Sequence, residues 1–375
     1  MRCIRDVSSS ELRGKRVLLR ASLDLPVGSS GAVTDAFRLT QAMPTIRYLV
    51  EHGARTVVIA KIGRDTNDSL SPVAEAMKKY VPVFFVRDIL GHAAVAATRA
   101  MRDGEIVLLE NLQQDAREVA GAEGFAEALA AFGDIYVNDC FPSAHRASAS
   151  MVKIPLFLPS YAGLQLYEEV TRLTEALRPS SPSFAIIGGA KFETKDPIIR
   201  SFLDRYDRVA VVGAIANDVL KAKGLPVGRS KVSEYLPPKE IVESPKLLAP
   251  LDVVCETSDT QAYTKKVEDV GADDKIVDIG PETVARMADD IQSARFILWN
   301  GPTGLYEEGY ADWTIALAEL IAQTDAQKVI GGGDTIAVLQ GSGVPLERLG
   351  FLSTGGGAML EFLLKGTLPG IEALR

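Results

Sequence analysis

The chain lacks the parts that several kinds of protein depend on. Its three cysteines, Cys3, Cys140 and Cys255, are widely spaced and form no CxxC, which argues against a disulfide framework or a thiolate zinc site. Its three histidines, His52, His92 and His145, give a histidine triad or metal cluster little to draw on. No apolar run reaches the ~18 residues of a membrane span. The first residues, MRCIRDVSSSEL, hold no apolar core of the kind a secretory signal needs. A cytoplasmic protein without membrane partners is the expectation. Positive charge is also in deficit. Against 49 Asp and Glu stand 41 Lys and Arg, a net charge of −8, which speaks against a nucleic-acid scaffold while leaving room for a local basic pocket. Neither the P-loop pattern GxxxxGK[ST] nor the dinucleotide fingerprint GxGxxG occurs.

What is present is ordinary globular material. The 375 residues are 47% hydrophobic and 24% charged, and at roughly 150 residues per domain they suggest two domains. Short apolar runs recur: Arg16–Arg20, Thr56–Ile62, Val83–Val86, Glu105–Glu110 and Asp134–Asn138, then Ser183–Ile187, Arg208–Val212, Asp252–Glu256, Lys275–Ile279, Phe296–Asn300 and Lys328–Ile330. Such runs predict strands covered on both faces, as in parallel sheets. Helical patterns lie between them, at Thr40–His52 with Pro44 near its start, at Gly121–Phe132 and at Leu164–Leu177. The alternation predicts an α/β fold of parallel sheets with right-handed crossovers. The change between the two strand sets falls within 164–183, which predicts domains of about 1–160 and 180–350 joined by a long helix.

Three glycine-rich turns mark the second half. In KVIGGGDTIA a strand runs into Gly331, Gly332 and Gly333, then Asp334 and Thr335, then a helical pattern. Glycines let a backbone approach a polyphosphate, and a helix start offers free N–H groups. Asp334 is placed to hold Mg²⁺ directly or through water. A tight strand–helix turn with Asp as cap is the plainer alternative. STGGGA, at 353–358, is open to the same two readings. In GGAKFETK, Lys191 and Lys195 are four apart, a spacing that puts two ammonium groups on one face near a helix start. Cations there oppose the helix dipole, so a facing phosphate would explain them better than stability does. WNGPTGLYE carries Asn300, Pro302 and Glu307 beyond a strand, and Glu307 is suited to ribose hydroxyls.

The first half places cations at or beyond strand ends: Arg20, Arg38, Lys61, Arg64, and Arg146 beside His145. Converging guanidinium and ammonium groups suit a small ligand bearing carboxylate and phosphate. Scattered surface cations remain the alternative for each one taken singly.

These motifs, in this order, resemble those of phosphoglycerate kinases. The resemblance runs through RVLLRASLDLPV, TDAFRLTQAMPTI, IGRD, LLEN, VNDCFPSAHRASAS, GGAKFETK, VDIGPETV, ILWNGPTGLYEE, VIGGGDTIA and FLSTGGGAMLEF. It implies two Rossmann-like domains with parallel sheets around a hinged cleft. Residues 1–160 with 360–375 would take the acid, and 161–359 the nucleotide. It further implies a monomer that transfers a phosphoryl group between MgATP or ADP and the carboxylate of 3-phosphoglycerate, in glycolysis or gluconeogenesis. Carried over by position, Arg38 and Lys191 would be catalytic. Arg64 and Arg146 would join Arg38 in the acid pocket. Gly189, Lys195, Gly213, Asn300, Pro302, Leu305, Glu307, Gly332, Gly333, Asp334 and Thr335 would surround the nucleotide, with Asp334 meeting Mg²⁺.

The departures from the family pattern gather in the acid pocket. Ser22 stands where the family has Asp, Asp24 where it has Asn, Lys61 where it has His, and Gln113 where it has Arg. Formal charge is moved rather than removed. Beside 3-phosphoglycerate itself, two alternatives stay open: a relative acting on another carboxylic acid, and a non-catalytic nucleotide-binding homologue.

Overall fold

A computed structural model describes residues 1–257 and 261–375. They form two compact units, Met1–Thr171 with Thr367–Arg375, and Arg172–Gly366. These divisions fall later than 160/161 and 359/360. The helix Leu164–Ala176 begins tied to the first unit, with Leu164 N–H donating to Thr45 Oγ1 at 2.9 Å and Leu166 N–H to Asp139 Oδ1 at 3.0 Å. Toward the C-terminus, Arg205 donates to the carbonyl of Leu363 at 2.8 Å, which holds the helix Gly357–Lys365 in the second unit. Gly370 N–H donates to the carbonyl of Ala144 at 2.8 Å, within the first.

The first unit is built on strands β1 (Arg16–Ala21), β2 (Arg55–Ile59), β3 (Phe84–Phe85), β4 (Ile106–Leu108), β5 (Ile135–Asp139) and β6 (Ser160–Ala162). They pair in the order β3-β4-β2-β1-β5-β6, parallel throughout. The central strands are buried along nearly their whole length, as their unbroken Val/Leu/Ile runs demand. The chain moves one way from β1 to β2 and the other way to β5, so a crevice opens beyond their carboxyl ends.

In the second unit β7 (Ser183–Gly188), β8 (Arg208–Val212), β9 (Leu247–Leu248), β13 (Phe296–Asn300), β14 (Gln327–Gly331) and β15 (Phe351–Leu352) pair in the order β15-β14-β13-β7-β8-β9, also parallel. The switch lies beside β7. Trp299 on β13 is fully buried, and its indole donates to the carbonyl of Gly301 at 2.7 Å. Two apolar runs do not join this sheet. β10 (Asp252–Glu256) and β12 (Lys275–Ile279) pair antiparallel, and with β11 (Ala262–Lys266) they form a separate sheet, β11-β10-β12. Val253, Cys255 and Ile276 pack there in a small cluster with Leu220.

Pro44 is not near a helix start. The helix spans Phe37–Glu51 and Pro44 lies inside it, where the missing N–H and the ring clash cost ~3 kcal/mol in a straight helix. Its outward, exposed position limits that clash to the solvent side. Among the described residues no helix is long and apolar enough to cross a membrane.

Candidate active site

In the first unit the candidate residues follow the carboxyl ends of β1, β2, β4 and β5. Ser22 is buried directly after β1. Asp24, two residues on, reaches the loop after β2. Its Oδ1 accepts from Gly63 N–H at 2.9 Å, and its Oδ2 is 3.9 Å from Lys61 Nζ. Lys61 donates to the carbonyl of Gly63 at 2.9 Å. Gly63 has φ +65°, and a Cβ there would collide with the Asp68 carboxylate, so the tight loop requires glycine. Arg38, in the first turn of its helix, donates to the carbonyl of Asp24 at 2.9 Å. An open cavity of about 620 Å³ brings Asp24, Arg38 and Gly63 together. Ser22, Lys61, Arg64, Gln113 and Arg146 lie outside its lining. Arg64 and Arg146 are exposed, and Gln113 is half-buried in the 3-10 turn Leu112–Gln114.

Burial lowers the Lys61 pKa, Arg146 and Arg20 push it further down, and Asp24 opposes them. Lys61, Asp24 and Arg146 thus share one electrostatic neighbourhood. Arg20 does not serve as a free cation at a strand end. It is 1% exposed and donates to Ser150 Oγ at 3.1 Å and to the carbonyl of Ala21 at 2.8 Å. Ser150 in turn donates to Glu118, so a buried positive charge meets a hydrogen-bonded buried negative one.

In the second unit the loops after β7, β8, β13 and β14 are stitched together through backbone. Ile215 N–H donates to the carbonyl of Gly189 at 3.1 Å, and Gly213 N–H to that of Thr303 at 3.1 Å. Gly301 N–H donates to Thr335 Oγ1 at 2.9 Å. A cavity of about 280 Å³ opens where these loops meet, and Gly189, Gly213, Pro302, Leu305, Glu307 and Asp334 line it. Lys195, Asn300, Gly332, Gly333 and Thr335 lie outside its lining. Thr335 is fully buried, Asn300 is 5% exposed, and the aliphatic stem of Lys195 lies against Gly189. Gly332, at φ +100°, caps the helix Gly333–Gly341, so Asp334 sits in that helix's first turn.

Lys191 and Lys195 do not share a helical face. Lys191 precedes the 3-10 turn Phe192–Thr194, Lys195 closes it, and the helix Asp196–Arg205 begins only afterwards. The Asp-Pro at its start sets the first turn there. Lys191 is exposed, whereas Lys195 is half-buried and its pKa is lowered by desolvation.

The cavity also has walls that spacing did not pick out: Asn217, Lys231, Lys275, Asp278 and Tyr306. Asp278 is 4% exposed, and burial pushes its carboxyl up to about 7 against the pull of its hydrogen bonds from Thr303 and from the N–H groups of Ile279 and Trp313. Asp278 and Tyr306 both lie inside motifs that were legible, VDIGPETV and WNGPTGLYE, but nothing local marks them as cavity-facing.

A family model described as phosphoglycerate kinase matches residues 4–366. The chain belongs to the phosphoglycerate kinase family. It is 39% identical to a phosphoglycerate kinase of Moorella thermoacetica, with 97% of each chain covered. It is 37% identical to one of Chloroflexus aurantiacus, over 99% of this chain and 98% of that one. Among solved structures, phosphoglycerate kinase from Coxiella burnetii aligns with a TM-score of 0.83 at 32% identity, covering 99% of this chain and 97% of the other. That from Pyrococcus horikoshii aligns with a TM-score of 0.89 at 28% identity, covering 100% and 98%. The phosphoglycerate kinase fold, two parallel α/β sheets in two units, is therefore the frame on which both sites are built.

Proposed function

We propose that this chain catalyses reversible phosphoryl transfer between an adenine nucleotide and the carboxylate of 3-phosphoglycerate, the glycolytic kinase reaction. The observation that carries the reading is the glycine-walled cavity of the second unit. It joins Gly189, Gly213, Glu307 and Asp334 in a chain whose family membership spans both units. In the ATP-consuming direction a carboxylate oxygen bonds to the γ-phosphorus, and the bond from that phosphorus to the bridging oxygen of ADP breaks. ADP leaves with the electron pair. The attacking oxygen is already an anion, so no general base is required, and the task is alignment and charge neutralisation.

Each residue has one part in this scheme. Glu307 accepts from the ribose hydroxyls. Lys195, desolvated before the ligand arrives, pairs with nucleotide phosphates. Lys191 meets the moving phosphoryl group. Arg38, anchored on the Asp24 carbonyl, meets the substrate carboxylate, with Arg64 and Arg146 on the acid's other anionic group. Mg²⁺ fits the donor set: the cavity offers Asp334, and Mg²⁺ commonly takes one or two carboxylates with phosphate oxygens and water. Bound with the nucleotide it would neutralise phosphate charge. We assign the chain to the cytoplasm and to a monomeric state; sedimentation of the purified protein tests the monomer, and fractionation of cells tests the location.

One observation favours a second reading, an acid other than 3-phosphoglycerate. The Asp24 carboxylate sits in the acid site, tied to Gly63 and near Lys61, and places negative charge where an anion must bind. Incubating the protein with MgATP and 3-phosphoglycerate, with acyl phosphate trapped as hydroxamate, separates the readings. Rapid hydroxamate formation supports the first. Nucleotide binding without product from this acid, but with product from another carboxylic acid, supports the second. Nucleotide binding with no product from any acid leaves a non-catalytic homologue.

A further inference from the structure

Tyr306 and Asp334 come from different loops and meet on one wall of the nucleotide cavity. Tyr306 opens the 3-10 turn Tyr306–Glu308, which also carries Glu307. Its phenol donates to Asp334 Oδ1 at 3.0 Å. A phenol is an ordinary hydrogen-bond donor throughout the neutral range.

Asp334 has unusual leverage on a cation. Among the described residues no group of three His, Cys, Asp or Glu side chains could hold a metal. Asp334 therefore stands without two further such side chains beside it, and the remaining oxygens would come from nucleotide phosphates and water. A carboxylate otherwise turns about its last bond. With Oδ1 held by a phenol, Oδ2 is kept for the cation. Partners that orient a metal ligand are worth roughly 10–100-fold in metal affinity.

We propose that Tyr306 is a positioning residue for the metal–nucleotide complex: its hydroxyl holds the Asp334 carboxylate in the orientation that receives the nucleotide-bound divalent cation, and the turn it shares with Glu307 couples the cation end of the ligand to the ribose end. The proposal rests on the nucleotide-site reading above.

Calorimetric titration of the full chain with ADP, once with Mg²⁺ and once with a chelator, tests it. Tyr306→Phe keeps the ring and removes the hydroxyl. It is expected to weaken MgADP about tenfold and to leave metal-free ADP unchanged. Asp334→Asn is expected to weaken MgADP at least as much. The double variant is expected to bind MgADP no more weakly than Asp334→Asn alone, because the phenol acts through the carboxylate. Unchanged MgADP affinity in Tyr306→Phe, equal losses with and without Mg²⁺, or additive losses in the double variant would each overturn the proposal while leaving the nucleotide site standing. A wild-type chain that binds ADP under neither condition would overturn both.

Discussion

Asp24 and Lys61 stand 3.9 Å apart, and both fasten onto the same glycine, Asp24 on the N–H of Gly63 and Lys61 on its carbonyl. The Lys61 side chain is 13% exposed and that of Asp24 is 41%. The pair is too exposed and too loose to be a large stability element. Its effect falls on the proposed acid site. It pins the loop after β2 and sets a carboxylate against any incoming anion.

Asp24→Asn should therefore strengthen binding of an anionic acid. The asparagine carbonyl can still accept from Gly63 N–H, so the loop holds, while one negative charge is removed. The KM for 3-phosphoglycerate is expected to fall by about threefold to tenfold, on the order of 1 kcal/mol for a partly exposed charge. The pH profile supplies the sign. Asp24 raises the pKa of Lys61 against the larger effect of burial. Without it, Lys61 loses its proton at lower pH, and the alkaline limb of kcat/KM for the acid moves down. Steady-state kinetics from pH 7 to 10 check both. A higher KM would show that Asp24 contacts the substrate favourably.

The sheets and the glycine turns were legible because they depend on local chemistry. An unbroken Val/Ile/Leu run fits a strand buried on both faces, and only glycine suits the left-handed turns at 213, 301 and 332. β10 and β12 misled for the same reason. Val253 and Cys255 pack into a small cluster, while Ile279 reaches the main core, so an antiparallel pair buried on two sides looks like parallel strands. β11, with AYTKK largely exposed, has no apolar pattern to read. Pairs such as Asp24 with Gly63, or Tyr306 with Asp334, belong to no periodicity. They arise when loops after different strands converge, which spacing along one segment does not encode.

Asp278 makes the second unit's stability fall as pH rises from about 4 to about 7. Its ordinary pKa is 3.8, and in the fold it is about 7. Between those values the folded chain holds a proton that the unfolded chain has released. The contribution is complete below about pH 4 and is lost on the way to pH 7. Asp278→Asn should flatten urea-midpoint stability over pH 4–7, removing up to about 1.4 kcal/mol per pH unit from the slope. The slope is the readout, since an amide replaces some accepted hydrogen bonds poorly. The negative charge of a nucleotide bound in the same cavity would raise this pKa further. ADP binding near pH 7.5 should then take up protons in the wild type and fewer in the variant, as calorimetry in buffers of different ionisation enthalpy would show.

Gly301 and Gly188 touch through backbone. A Cβ on Gly301 would lie 2.6 Å from Gly188 Cα, and φ at Gly301 is +102°. No side chain can move aside, so Gly301→Ala must push β7 and β13 apart at their carboxyl ends. A loss of about 2–4 kcal/mol is expected, together with loss of ADP binding. Gly309 is the control, with φ +94° and nothing within 4 Å of its Cβ. Gly309→Ala carries only the backbone strain, about 1–2 kcal/mol, and should keep ADP affinity. Equal effects of the two alanines would mean that the close contact has no consequence.

Lys195 and Lys191 should separate in kinetics because their surroundings differ before any ligand arrives. Lys195 is half-buried against Gly189, and desolvation lowers its pKa. In the proposed role a bound phosphate would restore what desolvation removed, so Lys195 would interact with the nucleotide in ground and transition states alike. Lys195→Met should raise the KM for ATP by about 10–150-fold, the range for one lost charge-assisted hydrogen bond, with a smaller change in kcat. Lys191 is exposed on extended backbone before the 3-10 turn and is free to follow the phosphoryl group as charge shifts. Lys191→Met should lower kcat by at least tenfold and move the KM for ATP little, the signature of an interaction made chiefly in the transition state. The reverse split, with Lys191 setting KM and Lys195 setting kcat, would exchange the two roles.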